Sequence, residues 1–258
     1  MGRFPFWRVV PGQRSGSFTL PVMPPATAGP EGAPHIMGGV ALAAIVDAME
    51  LDSELPLLWA QVQFLGPTQH AEELAIEVEQ CRGGQAVAQY AASASVNGRP
   101  THRANGALGS REPSEQTLFA AMPEVPGPEE SLAVEGSWSA PGTLPYQFDY
   151  RVAMQDEERG VQALWTRSRA NFAVDAGWLA IISDLFLGAH PATRGGSSLD
   201  AMFRFVQGCD PGWVLSFIEL AAFDRGVVHG SARHFAEDGR LLAISSQTGV
   251  LPRIPRAP

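Results

Sequence analysis

The chain has 258 residues, of which 45% are hydrophobic and 17% charged, so a sizeable buried core is expected and general disorder is excluded. Its formal net charge is -9, and no basic run or patch interrupts it, which argues against nucleic acid and an anionic membrane surface as partners. All 18 basic residues are arginine, which excludes Schiff-base chemistry and any phosphate loop that depends on lysine.

The two cysteines, Cys81 and Cys209, have no metal spacing, and two thiols in a chain of this length point to a reducing, cytoplasmic setting. The N-terminal MGRFPFWRVVPG has too short an apolar run for a signal peptide, and Pro5 interrupts it. The longest apolar stretches stop at about a dozen residues, short of the roughly 18 needed to span a membrane.

In chain order, Ser17 to Val22 reads as a short strand, followed by a Pro/Gly-rich loop from Pro24 to Pro34. Next come Gly38 and Gly39, then Val40 to Met49, a helix apolar nearly all round. The glycines let a backbone or ligand approach, and free N–H groups there can receive an anion or a polarised carbonyl. A plain glycine turn into a buried helix is the alternative. Leu57 to Leu65 and Leu74 to Cys81 show the near-alternation of strands, and Asn97-Gly98 joins two more as a hairpin, Ala86 to Val96 and Arg99 to about Leu108. Residues 111 to 130, with four prolines and several acids, read as a linker whose apolar patch Leu118 to Met122 can dock on one of the halves.

Beyond the linker the same order returns. Val161 to Arg169 is a strand, and Asn171 to Leu187 (NFAVDAGWLAIISDLFL) is a second helix apolar almost all round, yet it carries Asp184. A carboxylate there must be paired, hydrogen-bonded or protonated, unless the helix end frays and Asp184 meets water. Strands follow at Ser198 to Val206, Trp213 to Leu220, Val227 to Phe235 and Leu241 to Val250. The hairpin glycines Gly98 and Gly239 are 141 residues apart, and the helix glycines Gly39 and Gly177 are 138 apart. One unit therefore occurs twice. The expected fold is α+β, with two repeats that each wrap a curved antiparallel sheet round a buried helix: residues 1–110, the linker 111–130, and residues 131–258. Pairing between the edges of the two sheets would hide them.

Several motifs in order, Ile182-Ser183-Asp184-Leu185, Ser197-Ser198-Leu199-Asp200, Arg225-Gly226, Asp238-Gly239-Arg240-Leu241 and Ser246-Gln247-Thr248-Gly249-Val250, resemble the C-terminal half of the acyl-CoA thioesterase II family. Met37-Gly38-Gly39 and Phe64-Leu65-Gly66-Pro67 resemble its N-terminal half. The resemblance implies a double hotdog fold and a water held and activated by Asp184, Ser198 and Gln247, with serine where the family more usually has threonine. It implies Gly38 and Gly39 at the substrate, no metal or cofactor, and a small-molecule acyl-CoA as partner. A homo-oligomer is also implied. The positions matching Asp184 and Gln247 in the first half are Val46 and Gly106, so one site per chain is expected. Asp47, about 100° round the helix from Val46, takes a structural or secondary role. The competing reading is an acyl-binding or structural double hotdog with a decayed site. A hotdog hydratase is disfavoured because no G-D-x-N-P-x-H pattern is present.

Overall fold

The computed structural model describes residues 5–30, 32–84, 86–110, 117–134 and 139–252. The first repeat contains β1 (Val10–Pro11), β2 (Ser17–Pro21), β3 (Thr27–Ala28), β4 (His35–Ile36), α1 (Gly38–Ser53), β5 (Leu57–Phe64), β6 (Glu73–Arg82), β7 (Val87–Val96) and β8 (Arg99–Gly109). After β9 (Leu132–Val134), the second repeat contains β10 (Phe148–Asp156), β11 (Val161–Ser168), α2 (Ala176–Ser183), β12 (Ser197–Phe205), β13 (Val214–Asp224), β14 (Val227–Ala236) and β15 (Leu241–Val250).

Thirteen strands form one sheet in the order β1-β2-β6-β7-β8-β5-β12-β15-β14-β13-β11-β10-β9. Read outward from its middle, the order repeats itself: β5, β8, β7, β6, β2 on one side and β12, β15, β14, β13, β11 on the other. The repeats meet through antiparallel pairing of β5 with β12, where Val62 faces Ala201. Two sheet edges that would each expose unpaired backbone groups thereby satisfy each other. The tight turns agree with their sequences. Asn97 and Gly98 both take positive φ, as a two-residue hairpin of this hand requires.

Both helices lie inside the curved sheet. Every residue of α1 from Gly39 to Met49 is buried, and so is all of α2. This explains why neither helix has a polar stripe: the sheet covers one side, and the other helix covers much of the rest. Full burial of side chains such as Leu42, Ile45 and Met49 contributes about 1.5–3 kcal/mol each.

The second helix is shorter than the expected span 171–187. Asn171 takes a left-handed φ of 57°, and Val174 forms a bridge with Cys209. Helix α2 therefore starts only after Asp175, whose side chain accepts from the Trp178 N–H at 2.8 Å. At its far end the α-helix tightens into a 3-10 turn over Asp184–Ala189. Strand β10 is an addition to the expected strands: Phe148 to Val152 alternates apolar and polar, but a bulge between Val152 and Met154 breaks the pattern after five residues. Asp149 is held by Arg167 and Arg169.

In the described part of the 111–130 stretch, Leu118, Ala120, Met122 and Val125 pack on the outer face of the second repeat's sheet. There they cover Trp165, Trp213 and Leu215, and the Trp165 indole N–H donates to the Pro126 carbonyl at 2.9 Å. The apolar patch thus docks on the second repeat. Residues 111–116 lie outside the described residues.

Candidate active site

Asp184 sits where α2 gives way to the 3-10 turn, and it is 7% exposed. The alternative of a frayed helix end in water does not hold. Ser198 stands at the start of β12, and Gln247 lies in the neighbouring β15. All three converge. The Ser198 hydroxyl donates to Asp184 Oδ1 at 3.1 Å, and Gln247 Nε2 lies 2.5 Å from the same oxygen. Gln247 Nε2 also reaches Ser198 Oγ at 2.5 Å.

The other oxygen, Asp184 Oδ2, accepts from the Gly39 backbone N–H at 2.7 Å. The start of α1 therefore faces the end of α2. Met37 at that start provides no side-chain cap, so the α1 donors are open to partners from elsewhere. Glycine is needed for the approach. A Cβ on Gly39 would lie 2.6 Å from the Ile181 carbonyl oxygen, and one on Gly38 would lie 2.9 Å from Asp184 Oδ2 and from the Phe64 ring. Of the two sequence-selected glycines, Gly39 thus gives its N–H to the acid. The Gly38 N–H has no protein acceptor among the described residues.

Burial pushes the Asp184 carboxyl above the ordinary aspartate value, and hydrogen bonds from Gln247, Gly39 and Ser198 pull the other way. The positive end of α1 adds to that pull. Small residues make room for this packing. Gly249 lies against Leu187, and Gly230 against Phe186, where a Cβ would collide with either side chain. Asp200 belongs to the frame, since its carboxylate accepts from the Thr248 N–H at 2.7 Å across a bulge between Ser198 and Asp200.

The register gives the first repeat's equivalents. Ser198 faces Gly249 next to that bulge, while Leu57 faces Leu108 next to a bulge between Leu57 and Trp59. Leu57 thus stands where Ser198 stands, at the same offset of 141 residues that separates Gly98 from Gly239. With Val46 for Asp184 and Gly106 for Gln247, the first repeat has no such polar group. Asp47 is buried and accepts from the Val9 N–H at 2.8 Å and from the Arg8 guanidinium. Sequence reasoning missed Trp7, Arg8 and the Phe64–His102 pair, whose rings meet edge to face at 5.7 Å. Only the family-like Phe64-Leu65-Gly66-Pro67 run pointed towards any of them.

His229 and His234 lie apart in environment. His229 is exposed beside Thr248, and His234 is fully buried between the Ser216 and Ser245 hydroxyls. Among the described residues, no group of three His, Cys, Asp or Glu side chains could hold a metal ion. None of the described helices is long and apolar enough to cross a membrane.

Two copies of a helix-in-sheet unit joined edge to edge define a double hotdog protein. A 1.70 Å structure from Novosphingobium aromaticivorans assigned as a thioesterase superposes with a TM-score of 0.89 at 26% identity, covering 97% of this chain and 100% of that one. An acyl-CoA thioesterase II of Mycobacterium marinum gives 0.78 at 17% identity over 98% of each chain. The tesB protein of Mycobacterium avium subspecies paratuberculosis gives 0.79 at 18% identity, over 96% of this chain and 97% of that one. Residues 25–109 match the acyl-CoA thioesterase N-terminal domain, and residues 111–251 match the acyl-CoA thioesterase C-terminal domain. No curated relative matches the sequence. The chain belongs to the acyl-CoA thioesterase family and is a thioesterase.

Proposed function

We propose that the chain hydrolyses acyl-CoA thioesters to free acid and CoA at Asp184, with Ser198 and Gln247 placing the water. The observation that carries this reading is the convergence of two side chains and the start of α1 on one buried carboxylate. Asp184 takes a proton from the water as its oxygen attacks the thioester carbonyl. The Gly38 N–H, with the positive end of α1 behind it, receives the oxyanion. Collapse of the tetrahedral intermediate breaks the C–S bond, and Asp184 returns the proton to the departing sulfur.

Serine in place of threonine keeps the hydroxyl that this arrangement needs. The residue divisions 1–110, 111–130 and 131–258 are part of the same proposal, with the reaction centre built by the second repeat and the start of α1. A thiol-release assay over a range of acyl chain lengths tests the reading. Turnover by the wild type and its loss in Asp184→Asn support it. Binding of acyl-CoA without any turnover would replace it with an acyl-binding role.

A further inference from the structure

The pseudo-symmetry that places Asp184 against the start of α1 also defines a second cleft, between the start of α2 and the middle of α1. Its walls are Gly177, which corresponds to Gly39, and Val46, which corresponds to Asp184. We infer that this second cleft is an acyl-chain binding site occupied by the chain's own Phe6–Val9 segment, so that each chain takes up one acyl thioester and not two. The inference rests on the acyl-CoA reading of the first site.

The segment lies against Gly177 and binds Asp47, the residue next to Val46. A Cβ on Gly177 would run into the Trp7 indole, whose Cδ1 would be 2.9 Å away, whereas at Gly39 the same construction meets the backbone of the opposite helix. The indole therefore fills space that the second glycine leaves open. Trp7 is 1% exposed, with the rings of Phe172 and Trp178 at 5.2 and 6.5 Å. One residue on, Arg8 bridges Asp47 of α1 and Asp175 before α2, at 2.8 Å to the latter. The Val9 N–H binds Asp47, the neighbour of Val46.

The two helix starts also differ. That of α1 has no side-chain cap and gives an N–H to Asp184, while that of α2 is capped by Asp175. The indole N–H groups of Trp7 and Trp178 are buried without an acceptor among the described residues. Shape and apolar surface, rather than polar pairing, hold the Trp7 ring in place. A slot that accepts an aromatic ring on those terms suits a hydrocarbon chain. With Val46 and Leu57 at the places of Asp184 and Ser198, it has no base for hydrolysis, so an acyl group entering it would be bound and not cleaved.

Calorimetric titration with a non-hydrolysable thioether analogue of a long-chain acyl-CoA tests this, using Asp184→Asn as the parent. The parent is expected to bind one equivalent, and the parent carrying Trp7→Ala two. Arg8→Gln in the same parent keeps the indole and the core volume but releases the tether. It is expected to take a second, weaker equivalent at saturating analogue, and it decides the matter if Trp7→Ala does not fold. No additional equivalent in either folded variant overturns the inference. No binding by the parent, with one equivalent gained on Trp7→Ala, would overturn the acyl-CoA reading of the Asp184 site and leave the second cleft as inferred.

Discussion

The Gly39 backbone N–H donates to the Asp184 carboxylate at 2.7 Å, although the two residues stand 145 positions apart in the chain. The helix start of one repeat thereby holds the acid of the other. Each repeat supplies something the other lacks, an open helix start from the first and the three polar side chains from the second.

Asp184→Asn tests the acid directly. Asparagine has one acceptor oxygen where aspartate has two, so if that oxygen serves Ser198 and Gln247, its amide nitrogen faces the Gly39 N–H. The mismatch is expected to cost about 1–3 kcal/mol, and the fold should survive with a lower Tm. Thiol release from acyl-CoA should fall by about 10²–10⁴ with the loss of the base. Unchanged turnover would remove Asp184 from the reaction.

Ser198 separates hydroxyl chemistry from side-chain shape. Ser198→Ala deletes a hydrogen bond to a charged group, and about 1.5–3 kcal/mol corresponds to a loss in kcat of roughly ten- to a hundredfold. Ser198→Thr restores the hydroxyl with a stiffer χ1 and should stay near the wild-type rate. Equal loss in both variants would point to packing in place of the hydroxyl.

Gly39→Ala probes the approach of the helices. The added methyl group would lie 2.6 Å from the Ile181 carbonyl oxygen and 2.8 Å from Asp184 Cβ, and backbone cannot move aside cheaply. Overpacking of this kind costs about 1–3 kcal/mol. We expect a lower Tm together with reduced thiol release, measured on the same preparation.

The pH profile follows from the environment of Asp184. Burial holds its carboxyl above the ordinary value, and the base works only when ionised, so kcat/KM should climb with pH through that raised value. Gln247→Leu removes the largest of the opposing hydrogen bonds. Its acidic limb should move to higher pH, whereas a purely structural Gln247 would lower the rate and leave the limb in place.

Acid stability should depend on two buried histidines. Desolvation lowers His102 and His234 from 6.5 to about 4. As pH falls below 6.5 the unfolded chain gains protons that the folded protein refuses, so stability is lost between pH 6.5 and about 4, by up to about 3 kcal/mol for each histidine. Urea unfolding at pH 7.5 and pH 5 should show this loss, and His234→Gln should shrink it. A loss of the same size in the variant would place its origin elsewhere.

Much of this protein was legible in local pattern. Alternating strands, hairpins such as Asn97-Gly98, and two helices apolar on every side are set by neighbours a few residues apart, and their recurrence along the chain exposed the repeat. Asp184 stands out locally as a polar group in an apolar run, whereas Ser198 and Gln247 lie among small and polar residues and were legible only through the resemblance carried by the ordered motifs. Other features depended on distant partners. The length of α2 was decided by Asp175 as a cap and by the bridge between Val174 and Cys209. The pairing of β5 with β12 is a register between strands and leaves no trace in either alone. The Trp7 indole over Gly177 and the Gly39 N–H on Asp184 are contacts between segments more than a hundred residues apart. By itself the sequence determined which side chains are apolar, which are polar and where the backbone can turn, since those are properties of short segments. Only the tertiary structure decided which donors surround the buried acid and what fills the second cleft, because both depend on the shape of the space left when the two helices pack inside one sheet.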